Sequence, residues 1–241
     1  MATAIRPVTL SQAAWQAAHR AGTAAISTQL LKRGFRDTYL TGLQTTRPDL
    51  RMVGYAFTLR YAPAREDVSS VNFDNRTNVQ RIAVESVGPQ DVLVIDARGE
   101  RGAATLGNIL ATRIHRRGGT GIVTDGAMRD TSLFSGIDIP TYHVGTHQTQ
   151  STARHYAADL NVPIGCAGVL VLPGDVLVGD ADGVVVIPSQ VAEDVLLAAA
   201  EQEAREELSL EFVQAGESIL EIYPPGPALL AELERRRATT P

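Results

Sequence analysis

Two short apolar runs, Asp91–Asp96 (DVLVID) and Gly121–Thr124 (GIVT), stand on either side of a glycine-bearing loop and a helical stretch. That order constrains the fold more than any other feature of the chain. The first run is β-branched in character and, like the second, too short for a helix, so both read as buried strands. Arg98–Gly107 leaves the first run and opens a helix extending to about Arg117, which Gly118-Gly119 closes. A strand, a covering helix and a second strand in that order pair in parallel. The fold class is therefore α/β.

The flanking sequence adds layers to this unit. Ser11 is placed to cap a helix, a second apolar pattern ends at Gly34, and helices are expected over 11–34. Gly54–Tyr61 alternates as a strand, and Asn78–Val87 reads as a helix stopped by Gly88-Pro89. Ile139–Val144, Val162–Leu172 and Asp175–Pro188 supply further short strands with mixed pairing. A long helix follows from Ser189 to about Val213, and then a proline-broken tail with an Arg235–Arg237 run. No fixed-period repeat is visible. The expectation is a single domain over 1–241, with its core over about 50–190 and a C-terminal helix and tail over 189–241.

Composition removes whole mechanisms. With 44% hydrophobic and 20% charged residues the chain is not disordered, and its net charge of −5 gives no support to nucleic-acid binding through a basic field. No apolar run approaches the roughly 18 residues that span a bilayer, so no membrane partner is expected. The first residues lack an apolar signal core; they read as the start of a mature, cytoplasmic protein, with a transit segment as the competing reading. A lone cysteine, Cys166, excludes an internal disulfide and reads as a buried small hydrophobe. Of the 22 basic residues 21 are Arg, and the single Lys32 sits where a helix end should be solvated. Imine chemistry, which needs a lysine of lowered pKa, has one poor candidate.

The chemistry-bearing stretch is Gly107–Asp130 (GNILATRIHRRGGTGIVTDGAMRD). Gly107 and Asn108 open a helix after a buried strand, where free backbone N–H groups favour an anion such as a carboxylate. The competing reading is a plain turn. Asp125, Arg129 and Asp130 follow the adjacent strand, at the end of a parallel sheet where ligands gather. Arg129 offers a fork of donors suited to a carboxylate, and Asp130 offers hard oxygen to a divalent cation. A functionless Arg–Asp surface pair is the alternative. His143, His147 and His155 do not make a metal site, because Pro140 argues against the helix their spacing needs. Asp175, Asp180 and Asp182 read as turn formers rather than calcium ligands.

Gly107-Asn108-Ile109-Leu110-Ala111 and Gly126-Ala127-Met128-Arg129-Asp130, with Gly174–Pro188 (GDVLVGDADGVVVIP), resemble the RraA-like family from about Gly54 to the carboxyl-terminal helix. The resemblance implies a swivelling β/β/α domain with peripheral helices, assembled as a homotrimer or hexamer with sites between subunits. It implies a lyase that cleaves the C–C bond of short 2-oxo acids through a pyruvate enolate, with Mg²⁺ or Mn²⁺ as cofactor. Two activities are expected: a 4-hydroxy-4-methyl-2-oxoglutarate-type aldolase and an oxaloacetate decarboxylase. By position, the backbone of Gly107, Asn108, Ile109 and Leu110 and the side chain of Arg129 would meet the substrate, and Asp130 would hold the cation. The family often has Asp where Asn108 stands, so Asn108 can orient water but not ionise, and Asp125 becomes a substitute proton-transfer candidate beside a structural turn role. Glu206 is the expected acid from a neighbouring subunit's helix, with Glu203 and Glu207 in adjacent register and a solvated helix face as the competing reading for each. Some relatives inhibit an endoribonuclease, which makes a non-catalytic, protein-binding regulator the alternative.

Overall fold

The computed structural model describes residues 9–70 and 72–239. The expectation about the chain's start falls largely on residues 1–8, outside the described residues. In chain order the first elements are α1 (Gln12–Arg20), α2 (Thr23–Lys32), β1 (Gln44–Thr45), β2 (Met52–Pro63), α3 (Val79–Ser86) and β3 (Asp91–Asp96). Next come α4 (Asn108–Arg116), β4 (Gly121–Thr124), β5 (Ala127–Met128), β6 (Thr141–His143), β7 (Gly145–Thr146) and β8 (His155–Leu160). Strands β9 (Ile164–Cys166), β10 (Val169–Val171), β11 (Val176–Gly179) and β12 (Val184–Ile187) precede α5 (Ala192–Gln214), α6 (Ile219–Ile222) and α7 (Pro227–Thr239).

The main sheet runs β1-β6-β4-β3-β2-β11-β12. Strands β2, β3, β4 and β6 are mutually parallel, as the strand–helix–strand order requires. Antiparallel strands complete both sides. β1 joins β6, β11 joins the first half of β2, and β8 joins its second half, the register shifting between Arg60 and Tyr61.

Both faces of the sheet are covered, which is why β3 reads as an unbroken apolar run. Its side chains still alternate: Leu93 and Ile95 pack under α3 and α4, while Val92 and Val94 face β9 and β10. Each fully buried Leu or Ile here stabilises the fold by roughly 1.5–3 kcal/mol. A separate cluster joins α1, α2 and the start of α5 to Val53, Val176, Val178, Val185 and Ile187.

Local signals behave as their chemistry predicts. Ser11 caps α1, its hydroxyl accepting from the Ala14 N–H at 3.1 Å, and Gly34 leaves α2 at φ +88°. Asn78 caps α3 in the same way, accepting from Arg81 N–H at 3.1 Å. Cys166 is fully buried, and Lys32 is exposed at a helix end. Two regions differ from expectation. His155–Leu160 forms a strand that its polar, weakly alternating sequence did not announce. The tail, read from the sequence only as a proline-broken segment with an arginine run, is helix α7 folded back on α5, with Arg236 paired to Glu211 at 2.6 Å and Arg237 to Glu201 at 2.7 Å. Among the described residues no helix is long and apolar enough to cross a membrane.

Candidate active site

The carboxyl ends of β3 and β4 are extended by loops zipped backbone to backbone. Thr105 N–H donates to Ala127 O at 2.7 Å, Arg129 N–H to Leu106 O at 3.2 Å, and Ala104 N–H to Thr149 O at 2.9 Å. β5 pairs in parallel with β7, so three chain segments run side by side beyond the main sheet. Gly126 permits this closeness: a Cβ there would stand 2.6 Å from both Ala97 Cβ and Thr105 Cγ2. Because their backbones are mutually bonded, these loops hold side chains in place as a sheet would.

On this platform lies a small cleft of about 110 Å³, with Gly107, Asn108, Ile109, Leu110, Arg129 and Asp130 in its lining. Gly107 is the N-cap of α4 and supplies no side-chain cap, and the first turn of the helix lines the cleft with no capping side chain to meet its free N–H groups. The glycine also makes room: a Cβ there would fall 2.6 Å from Asp130 Oδ2 and 3.1 Å from Arg129 Nε. Arg129 Nε and Asp130 Oδ2 are 3.5 Å apart, both side chains about one-third exposed. Asp130 adopts the left-handed conformation (φ +58°), which Asp tolerates better than most residues. Its carbonyl accepts Leu133 N–H at 2.9 Å, starting a 3₁₀ turn.

The other predicted residues fall elsewhere. Asp125 is buried outside the cleft, one oxygen accepting Ala97 N–H at 2.6 Å and the other Gly99 N–H at 3.0 Å. Burial pushes its carboxyl above the usual range. It braces the loop leaving β3, the turn role its position also allowed. Glu206 lies on α5, bonded to Gln202 at 2.9 Å and Tyr223 at 3.3 Å, and borders a different hollow. Glu203 receives Gly22 N–H at 3.1 Å, and Glu207 borders a third hollow beside α1. Within one chain these acids do not meet Arg129. His143 is buried in β6 against Gly145 O, and burial lowers its pKa.

Sequence reasoning did not identify Gln80 and Arg81 of α3, which line the same cleft. The one available signal was a polar Gln on the stripe it shares with Ala83, Val84 and Val87. Gln80 Nε2 donates to Tyr61 OH at 2.7 Å and to Thr105 O at 2.6 Å. This fixes the amide so that its oxygen accepts Arg81 Nη1 at 2.9 Å. Arg81 Nε also donates to Asn75 Oδ1 at 3.3 Å, and its guanidinium carbon stands 5.3 Å from the Phe73 ring centroid.

Asp130 turns a carboxylate oxygen toward the space that Gly107 leaves open. Among the described residues no three His, Cys, Asp or Glu side chains form a metal cage. A lone hard carboxylate beside open space fits a hydrated Mg²⁺-type ion, which keeps several waters and takes one or two protein carboxylates.

An α/β protein with an uncapped helix start and an Arg–Asp pair at the ends of its parallel strands is the class defined by this geometry. A model of the RraA-like family (Aldolase/RraA) matches residues 23–186, and the chain belongs to that family. A protein of Halalkalibacterium halodurans, provisionally named a 4-hydroxy-4-methyl-2-oxoglutarate aldolase, is 38% identical over 143 residues, 58% of this chain and 68% of that protein. The crystal structure of Streptomyces coelicolor RraAS2, described as an unusual member of the RNase ES inhibitor RraA family, is 32% identical with a TM-score of 0.74. That match covers 85% of this chain and 99% of the other. An uncharacterized protein from Pseudomonas syringae pv. tomato superposes with a TM-score of 0.77 at 26% identity, over 89% of this chain and 98% of the other.

Proposed function

We propose that the chain is a divalent-metal-dependent lyase of short 2-oxo acids, with Mg²⁺ or Mn²⁺ held by Asp130. The observation that carries the reading is the meeting of an uncapped α4 N-terminus, Arg129 and Asp130 around one small cleft. The α4 amides and the Arg129 fork receive the carboxylate next to the keto group. When bound, the cation would polarise the keto oxygen as a Lewis acid. Arg129 then lies beside the oxygen on which negative charge develops, where preorganised charge lowers the barrier most.

The lining residues suit decarboxylation best. In a 2-oxo acid whose C4 is itself a carboxylate, as in oxaloacetate, the C3–C4 bond breaks, C4 leaves as CO₂, and the electron pair passes into the pyruvate enolate, which takes a proton from water at C3. No base is required. Aldol cleavage must also remove a proton from the C4 hydroxyl. Asp130 is the one carboxylate among the described lining residues, Asn108 does not ionise, and Asp125 is held by backbone elsewhere. Aldolase activity therefore calls on water or on an acid such as Glu206 from another subunit. Ile109 at 76% exposure and the one-third-exposed Arg129 and Asp130 leave the cleft open on one side, in keeping with a trimer or hexamer that closes it.

Pyruvate release from oxaloacetate and from 4-hydroxy-4-methyl-2-oxoglutarate, with Mg²⁺ or Mn²⁺ and after chelation, tests the proposal. Metal-dependent turnover is expected, and full activity after exhaustive chelation overturns it. The likeness to RraAS2 supports a second reading, inhibition of an endoribonuclease by direct binding. Tight binding with no turnover of either oxo acid would favour that reading.

A further inference from the structure

We infer that Arg81 is a specificity-determining residue which receives the second carboxylate of a dicarboxylic 2-oxo acid, while Arg129 and the α4 amides hold the first. The inference rests on the lyase reading and deepens it. Its basis is the charge balance of the cleft. Two guanidiniums, Arg81 and Arg129, and one helix N-terminus line it, against the single carboxylate of Asp130. That carboxylate lies next to Arg129 and would be drawn to a cation when one is present.

Arg81 forms no ion pair with any described carboxylate, unlike Arg113, which is paired with Glu85 at 2.7 Å. Its hydrogen bonds go to two neutral amide oxygens, Gln80 Oε1 and Asn75 Oδ1, and they occupy Nη1 and Nε. Neither amide neutralises it, so the cation remains half-buried with Nη2 available for an anion. Burial lowers its pKa, and so does the nearby charge of Arg129, opposed by Tyr61. A bound dianion would relieve that mutual repulsion. Gln80 holds the guanidinium in register, since its own amide is fixed by Tyr61 and Thr105. The Phe73 ring covers one side. A monocarboxylate such as pyruvate occupies only the Arg129 end.

Steady-state kinetics of the full-length, metal-loaded protein separate this role from a structural one. For Arg81→Gln the KM for oxaloacetate should rise roughly ten- to a hundred-fold, the range expected for losing a hydrogen bond to a charged group. The kcat should not fall, because the carboxylate that Arg81 holds is the one that leaves as neutral CO₂ and its pairing stabilises the bound substrate more than the transition state. The inhibition constant of pyruvate, which reports the Arg129 end alone, should not move. Arg81→Lys, which keeps charge but not the fork, should recover part of the lost affinity. Equal weakening of pyruvate and oxaloacetate would make Arg81 a support for the loop and overturn the inference, as would an unchanged KM. A wild-type protein that turns over neither oxo acid would remove the lyase reading itself, and the inference with it.

Discussion

Helix α4 begins differently from α1 and α2 on the other side of the molecule. The starts of α1 and α2 are closed by side chains: Ser11 and Glu193 at α1, Asp180 and Glu203 at α2. Asp180 accepts both the N–H and the hydroxyl of Thr23, at 2.9 and 3.0 Å. Helix α3 has Asn78. Helix α4 has Gly107 and a cleft. Every helix leaves several N–H groups without intrahelical partners, so a start with no capping side chain is stable only where water or a ligand satisfies them. The contrast separates ends that hold the fold together from the end that can hold a substrate.

The comparison can be broken most decisively at the open end. Arg129→Ala or Asp130→Ala should lower kcat/KM by roughly 10²–10³-fold, the usual cost of removing a preorganised group at developing charge. The melting temperature of Arg129→Ala should scarcely move, because both side chains are part-exposed and paired mainly with each other. That of Asp130→Ala should fall only by the modest cost of placing alanine at φ +58°. A large loss of stability would mean the pair is structural. Gly107→Ala asks whether openness itself matters. The glycine's φ of −130° suits alanine, so the backbone is not strained. The added methyl instead lands against Asp130 and Arg129. Displacing them by a fraction of an ångström should reduce activity on the order of 10- to 100-fold with the fold intact. Unchanged kinetics would show that the cleft tolerates a cap-like side chain.

How much of this was legible in the sequence follows from where the information resides. β3, β4 and the Gly107 helix start were readable because apolar runs and glycine loops are local signals. Asp125 and Asp130 are five residues apart and look alike in the sequence, yet one is enclosed by Ala97 and Gly99 while the other faces the cleft. Only the packing of the loop after β3 tells them apart. Arg81 was not visible for the same reason: its helix lies far upstream, and the long β2 places α3 over the cleft. β8 and α7 escaped notice because their polar residues gain partners only after folding, as Arg236 does from Glu211.

At the closed ends the predicted effects are smaller and fall on stability. Ser11→Ala should cost about 1 kcal/mol through the lost cap of α1, read by chemical denaturation, and should leave turnover unchanged. A change in catalysis would connect the two regions and undo the distinction drawn between them.

The smallest effect sharpens the comparison through pH. Glu193 accepts from the hydroxyl and the N–H of Ser11, and these hydrogen bonds, the hydroxyl's first, hold its carboxyl below the usual range. A carboxyl whose pKa is lower in the folded state stabilises the fold above its unfolded value of about 4.3 and loses that stabilisation as pH falls through the lowered one. Because Glu193 is solvent-accessible, screening should limit the effect to about a few tenths of a kcal/mol. Glu193→Gln should therefore be slightly less stable than the parent at pH 7 and converge with it in acid, once both carry a neutral group there. Curves that stay parallel from pH 7 into acid would mean the carboxylate adds nothing as a charge. The α1 end would then be closed by the Ser11 hydroxyl alone, and the difference from α4 would reduce to a single missing oxygen.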